Sequence, residues 1–249
     1  MIATTDLGGI GPALLLSHGL GNHRGQLARL TDALSGFRII TVDLRGHGES
    51  PSGPFTWAAA VDDLQEVVDA YGLENPYVAG HSLGGMLALQ YALAGRPTAG
   101  VINIDGWGPG LASRFLGEDP VAVQARLDGY AEGRLPLVAR LLTFWTRQNR
   151  ESTTRDVLRL ITGQDIVGWH RDAPCRSLAF NAVGPAPALL GKEMQRMQAS
   201  YRKGLSAALA ELADELPEKV TVVEVPAGHF VHNSHTSLVA QAIQEFAHA

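Results

Sequence analysis

The chain has 249 residues, 45% of them hydrophobic, with a formal net charge of −5 and one cysteine, Cys175. That apolar share supports a sizeable core, as one large α/β domain or two small ones, and excludes a disordered chain. A lone cysteine excludes an intrachain disulfide or a cysteine-built metal site, and the lack of any Lys/Arg-rich run excludes the usual nucleic-acid binder.

The opening residues 1–6 carry no basic stretch and no long apolar stretch of the kind that targets a chain for secretion, and no run of about twenty apolar residues occurs anywhere. The expectation is a cytoplasmic protein without a membrane span. Ala13–Ser17 is a compact apolar run, read as a buried strand, and it ends in the loop His18-Gly19-Leu20-Gly21-Asn22, too glycine-rich to be helical. Residues 26–34 have helical spacing. Residues 38–42 form a second buried strand closing on a second loop, residues 43–50. Thr56 is an N-cap for a helix to Tyr71, with Ala60, Val61, Leu64, Val67 and Val68 on one stripe.

Residues 76–80 are the third strand, and here the chain turns from structure to chemistry. Gly80-His81-Ser82-Leu83-Gly84 fits G-x-S-x-G, a sharp strand-to-helix turn that lifts a serine hydroxyl above the sheet edge and sets it at the positive end of the next helix, residues 86–93. A β-carbon in place of either flanking glycine would clash with the neighbouring strand or helix. In a glycine-rich chain the bare pattern is weak, and the remaining elements decide its weight. Residues 100–105 are a fourth strand. Strands alternating with helices predict crossover connections and a mostly parallel sheet flanked by helices, with ligands at the C-terminal strand ends where these loops gather.

The alternation stops from Gly106 to about Asp172. Helical segments are expected at residues 120–131, 135–147 and 153–161, with no strand. Trp107, Phe115, Phe144, Trp145 and Trp169 in this segment suit a helical cap over a pocket, against the plain alternative that each packs the insertion onto the body. The sheet resumes at residues 176–182. Helix follows over residues 188–216 with a break near Gly204, then a last strand at 220–225, the turn 226–230 and a final helix at 234–246. The predicted organisation is a core of residues 1–105 and 173–249 with a cap, residues 106–172, inserted in it.

Four features stand in order after four strands: His18-Gly19, the Asp43–Ser50 loop, the Ser82 turn, and His229 between the last strand and the last helix. Together they make the chain resemble the α/β-hydrolase superfamily, in its capped branch of small esterases, thioesterases and C–C hydrolases. The likeness covers about residues 10–110 and 172–249. It implies Ser82 as nucleophile, His229 as its base, and an oxyanion hole of the backbone N–H groups of Leu83 and Leu20, with Gly19 and Gly21 letting the loop approach the substrate. The Asp43–Ser50 loop shapes the floor and receives no catalytic role. The superfamily usually supplies the acid after the strand at 176–182, but residues 183–189 hold no carboxylate. Asp105, at the end of the strand after the Ser82 helix, takes that role as it does in some members, with Asp172, Asp165, Glu193 or a dyad without an acid as alternatives. The superfamily also has a strand hairpin before its first buried strand. Here only residues 2–5 precede, which predicts a sheet of about seven strands lacking the first edge strand and leaves an edge for a partner in a homodimer.

The expected activity is acyl transfer on a small or medium apolar ester, thioester or lactone, without metal or organic cofactor. Trp107, Phe144 and Trp145 join Gly19 as substrate-contacting candidates. The run His229, His232, His235 does not read as a metal site, because it crosses a turn and no carboxylate or thiolate accompanies it. A C–C hydrolase, lyase or cyclase using the same residues, and a ligand-binding receptor that turns nothing over, are the alternatives.

Overall fold

The structure, a computed structural model, describes residues 1–108, 151–161, 163–185 and 192–248, together with residues 125 and 129; the side chains of residues 151, 152, 193 and 194 are not among those described. Strands β1 (Thr4–Gly8), β2 (Ala13–Ser17), β3 (Arg38–Val42), β4 (Tyr77–His81), β5 (Gly100–Ile104), β6 (Ser177–Ala182) and β7 (Val220–Val225) form a seven-stranded sheet in the order β1-β3-β2-β4-β5-β6-β7. All neighbouring pairs are parallel except β1 with β3. β4, β5 and β6 are buried at every position, as expected of parallel strands covered on both faces.

The pleat sends alternate side chains into two separate cores. Leu15, Ile40, Val101 and Ala179 enter one, against the helices α2 (Trp57–Ala70), α3 (Leu83–Leu93) and α6 (Lys192–Glu215). Leu14, Leu16, Ile102, Ile104, Leu178 and Phe180 enter the other, against α1 (Ala28–Ala33), which follows a 3-10 turn, and α8 (Thr236–His248). The remaining helices are α4 (Glu151–Ile161), α5 (Ile166–Asp172) and the single turn α7 (Val231–Ser234). The Thr56 hydroxyl caps α2 by accepting from the Ala59 N–H at 3.1 Å. Among the described residues, no helix is long and apolar enough to cross a membrane.

The sheet has the seven strands expected, with a single strand before β2 in place of a hairpin: β1 lies antiparallel on β3, with Thr4 opposite Val42 and Asp6 opposite Ile40. Its sequence, TTDLG, has no apolar run because one side of an edge strand faces water. Backbone pairing holds it, helped by buried Ile2 and by the Arg38–Asp6 ion pair at 2.9 Å. One expectation is corrected: the break near Gly204 is absent, since α6 runs unbroken through it. One helical glycine costs about 1 kcal/mol, and buried Leu205, Leu209 and Leu212 hold the helix on the sheet. Of the expected cap helices, 153–161 lies within α4, while 120–131 and 135–147 lie outside the described residues apart from 125 and 129. The division into core and cap is thus described only at the insertion's two ends.

Candidate active site

Ser82 stands between β4 and α3 with φ 53° and ψ −116°, a left-handed conformation that costs a residue other than glycine about 1–3 kcal/mol. The surroundings over-determine it. The Ser82 N–H donates to the Ile104 carbonyl at 2.9 Å, and the Gly85 and Met86 N–H groups donate to the Ser82 carbonyl at 3.0 and 3.1 Å. Every residue from Leu83 to Leu89 is buried. The flanking glycines are needed for close approach, since a β-carbon at Gly80 or Gly84 would fall 2.5 Å from Ser17 Oγ.

His229 follows β7 and reaches back to the end of β5, where its Nδ1 lies 2.7 Å from Asp105 Oδ2. An ionised carboxylate only accepts, so Nδ1 carries the proton and Nε2 is left as a bare lone pair. The His229 side chain is 46% exposed and that of Asp105 8%, so the pair is wet on the histidine side and dry on the carboxylate side. Asp105 Oδ1 accepts from the Ala182 N–H at 2.9 Å. Of the other acids considered, Asp165 caps α5 by accepting from the Gly168 N–H at 3.0 Å, Asp172 is exposed at the end of α5, and the Glu193 side chain is not among those described. The backbone at Asp105 is itself left-handed, with φ 54°.

A buried network not anticipated from the sequence fixes that turn. Asn103 Oδ1 accepts from the Gly106 N–H at 2.8 Å, and Asn103 Nδ2 donates to the Gly106 carbonyl at 3.2 Å and to His170 Nε2 at 3.1 Å. His170 Nδ1–H then donates to Ser177 Oγ at 2.9 Å. Burial holds the His170 pKa down to about 3, so the ring is neutral and this tautomer is consistent throughout. Trp107 is buried beside it, 5.3 Å ring to ring, with its indole N–H on the Phe180 carbonyl at 3.1 Å. Phe144 and Trp145 lie outside the described residues.

The loop after β2 closes on the serine: a β-carbon on Gly19 would sit 3.0 Å from Ser82 Cβ. The Asn22 N–H donates to the Gly19 carbonyl at 3.1 Å, a turn that leaves the Leu20 N–H outside its own hydrogen bond. Leu83 opens α3, where first-turn N–H groups have no partner within the helix. His18, read in the sequence only as part of this loop, ties it to the one after β3. Its Nε2 accepts from the Leu44 N–H at 3.0 Å, so its Nδ1–H donates to the Gly19 carbonyl at 2.8 Å. Burial, and then His47 close by, push its pKa down to about 3. Asp43 anchors the loop after β3, accepting from the Arg24 and Glu49 N–H groups at 2.7 and 2.9 Å and pairing with the Arg24 guanidinium. The floor loop thus acts by holding the loop that faces the serine.

His81 supports His229 from beneath, donating from Nε2 to the His229 carbonyl at 2.9 Å. Burial, then His229 and His232, hold its pKa well below the ordinary histidine value. The three histidines of the spaced run do not converge: His229 turns to Asp105, His232 packs 4.3 Å from the His81 ring, and His235 Nδ1 meets Ser234 Oγ at 3.1 Å. Among the described residues, no group of three or more potential ligands gathers to hold a metal ion.

Known proteins agree with this arrangement at the level of fold. An esterase from Exiguobacterium antarcticum superposes with a TM-score of 0.68 at 16% identity, covering 100% of this chain and 96% of its own. The enol-lactonase from Burkholderia xenovorans LB400 does so at 0.66 and 20%, covering 100% and 96%. In sequence, the mouse sn-1-specific diacylglycerol lipase ABHD11 is 37% identical over 86 residues, 33% of this chain and 28% of that protein. The curated relatives are matched over only part of their length, from 26% to 40%. The sequence pattern of the alpha/beta hydrolase family extends over residues 14–242, and the chain belongs to that family.

Proposed function

We propose that this hydrolase works by acyl transfer, with Ser82 as nucleophile, His229 as general base and Asp105 as the acid that orients it. The observation that carries the reading is the 2.7 Å contact between His229 Nδ1 and Asp105 Oδ2, which leaves Nε2 unprotonated at the sheet edge where Ser82 stands. A serine hydroxyl is a poor nucleophile until a base accepts its proton. Nε2 takes that proton as Oγ attacks the substrate carbonyl, and Asp105 stabilises the imidazolium that forms. The N–H groups of Leu83 and Leu20 receive the developing oxyanion. The leaving alcohol or thiol departs with the proton from Nε2, and water, activated by the same nitrogen, releases the acid.

The substrate is a small or medium ester, thioester or lactone with an apolar body, held under a cap formed by residues 106–172. The buried Trp107, in the wall of a cavity it shares with Asp105 and His229, suits such a body. The test is labelling by a fluorophosphonate, with turnover of a panel of p-nitrophenyl esters. Wild type reacts and turns over, and Ser82→Ala does neither. Absence of labelling, or full esterase activity in Ser82→Ala, refutes the mechanism. Stabilisation by a ligand without any turnover would favour a receptor.

A further inference from the structure

A cavity of about 180 Å³ lies against the His229–Asp105 pair, walled by the Trp107–Gly108 turn, the end of β6 and one face of α6. Ligand sites usually run to about 300–1,000 Å³, whereas a cavity of about 150 Å³ takes a benzene-sized molecule. The space therefore suits one fragment of a substrate whose reacting bond lies elsewhere.

Most of the wall is apolar or already satisfied. The Tyr201 hydroxyl donates to the Gly108 carbonyl at 2.8 Å, and burial keeps the phenol neutral by raising its pKa. Asp105 is committed to His229 and to the Ala182 N–H. Arg202 is the exception. Among the described residues of the wall it carries the only permanent positive charge. Its Nη2 and Nε reach the neutral Gln198 amide oxygen, at 3.1 and 3.3 Å, with that amide turned to face them. Its Nη1 is buried without a hydrogen-bond partner, as is Oδ1 of Asn181 in the same wall. A guanidinium N–H buried without an acceptor is costly, and a planar carboxylate is the group the guanidinium geometry best accepts.

We propose that Arg202 is a specificity-determining residue and that the substrate carries a carboxylate on the fragment entering this cavity, an inference that rests on the serine-hydrolase reading. The test compares two p-nitrophenyl esters of equal acyl chain length, the hemiadipate and the hexanoate. Wild type is expected to prefer the hemiadipate in kcat/KM by about tenfold or more, the scale of one hydrogen bond to a charged group. Arg202→Met should bring the ratio of the two close to one, while Arg202→Lys keeps part of it. A ratio near one in wild type, or a preference that survives Arg202→Met, overturns the proposal. Should that variant fail to fold, inhibition of wild-type hexanoate hydrolysis by adipate but not by neutral adipamide supports the proposal, and equal inhibition or none overturns it. Absence of turnover of both esters, with Ser82 unlabelled, would instead remove the serine-hydrolase reading.

Discussion

Replacing Asp105 by asparagine tests the acid with almost no change of shape. The new carboxamide has only one workable orientation. Ala182 N–H donates to Asp105 Oδ1 at 2.9 Å, so an amide nitrogen on that side would face another donor. The amide oxygen must therefore stay toward Ala182, and the NH2 group takes the place of Oδ2, 2.7 Å from His229 Nδ1. Two donors cannot share that contact. His229 must move its proton from Nδ1 to Nε2, and the nitrogen intended for the serine proton is then already occupied. A wrong tautomer of this kind costs about 10⁴-fold in kcat in serine proteases, which is about 5 kcal/mol of transition-state stabilisation. The assay is steady-state hydrolysis of the best p-nitrophenyl ester, alongside thermal unfolding to establish that Asp105→Asn is folded. The expected result is a fall in kcat of several orders of magnitude with little change in KM. A folded Asp105→Asn that loses less than about tenfold would remove Asp105 from the mechanism.

Two further outcomes follow from the buried polar groups. Asn103→Leu strands the Gly106 N–H and His170 Nε2, at about 1–3 kcal/mol for each buried group left unpaired; urea unfolding should show the loss, and kcat should fall with it because the same turn carries Asp105. Acid should unfold the protein early. His18 and His170 are held down to about 3 and His232 to about 4, each chiefly by burial, so between an unfolded value near ~6.5 and these folded values the unfolded chain binds about three more protons than the native one. Stability is therefore intact above pH ~6.5 and falls below it by about 4 kcal/mol per pH unit at the steepest, with the buried His47 and His81 adding in the same direction. Urea unfolding at pH 7, 6 and 5 measures this slope; a slope of less than one proton would refute it, and His232→Phe should lower it by about one.

What could be read from the sequence, and what could not, divides by how local the determining interaction is. β2, β4 and β5 announce themselves because strands covered on both faces must be apolar throughout, and α2 does so because Thr56 caps it and its stripe repeats at helical spacing. β1 shows only in outline, as residues 2–5 rather than Thr4–Gly8, because an edge strand is held by backbone pairing that leaves little mark in side-chain chemistry. Gly204 misleads because propensity is local whereas the packing of Leu205, Leu209 and Leu212 is not. Ser82 and His229 are singled out by their places after strands, and Asp105 only because the usual position for the acid is empty of carboxylates; the structure brings His229 and Asp105 together, a contact no local pattern encodes.

Two roles absent from the sequence reading, those of His18 and Asn103, work through a partner distant in the chain. His18 meets Leu44 across 26 positions, and Asn103 meets His170 across 67. Arg202 escaped for the opposite reason, since a charged residue on an amphipathic helix reads as its solvent face. Its meaning comes from the neighbours the fold supplies, a neutral amide on one side and the acid–histidine pair across a cavity on the other. A helix position that sequence assigns to water is thus placed by tertiary structure in one cavity wall with Asp105 and His229, and because a fold does not fix function, the proposed substrate choice has to be argued from such positions.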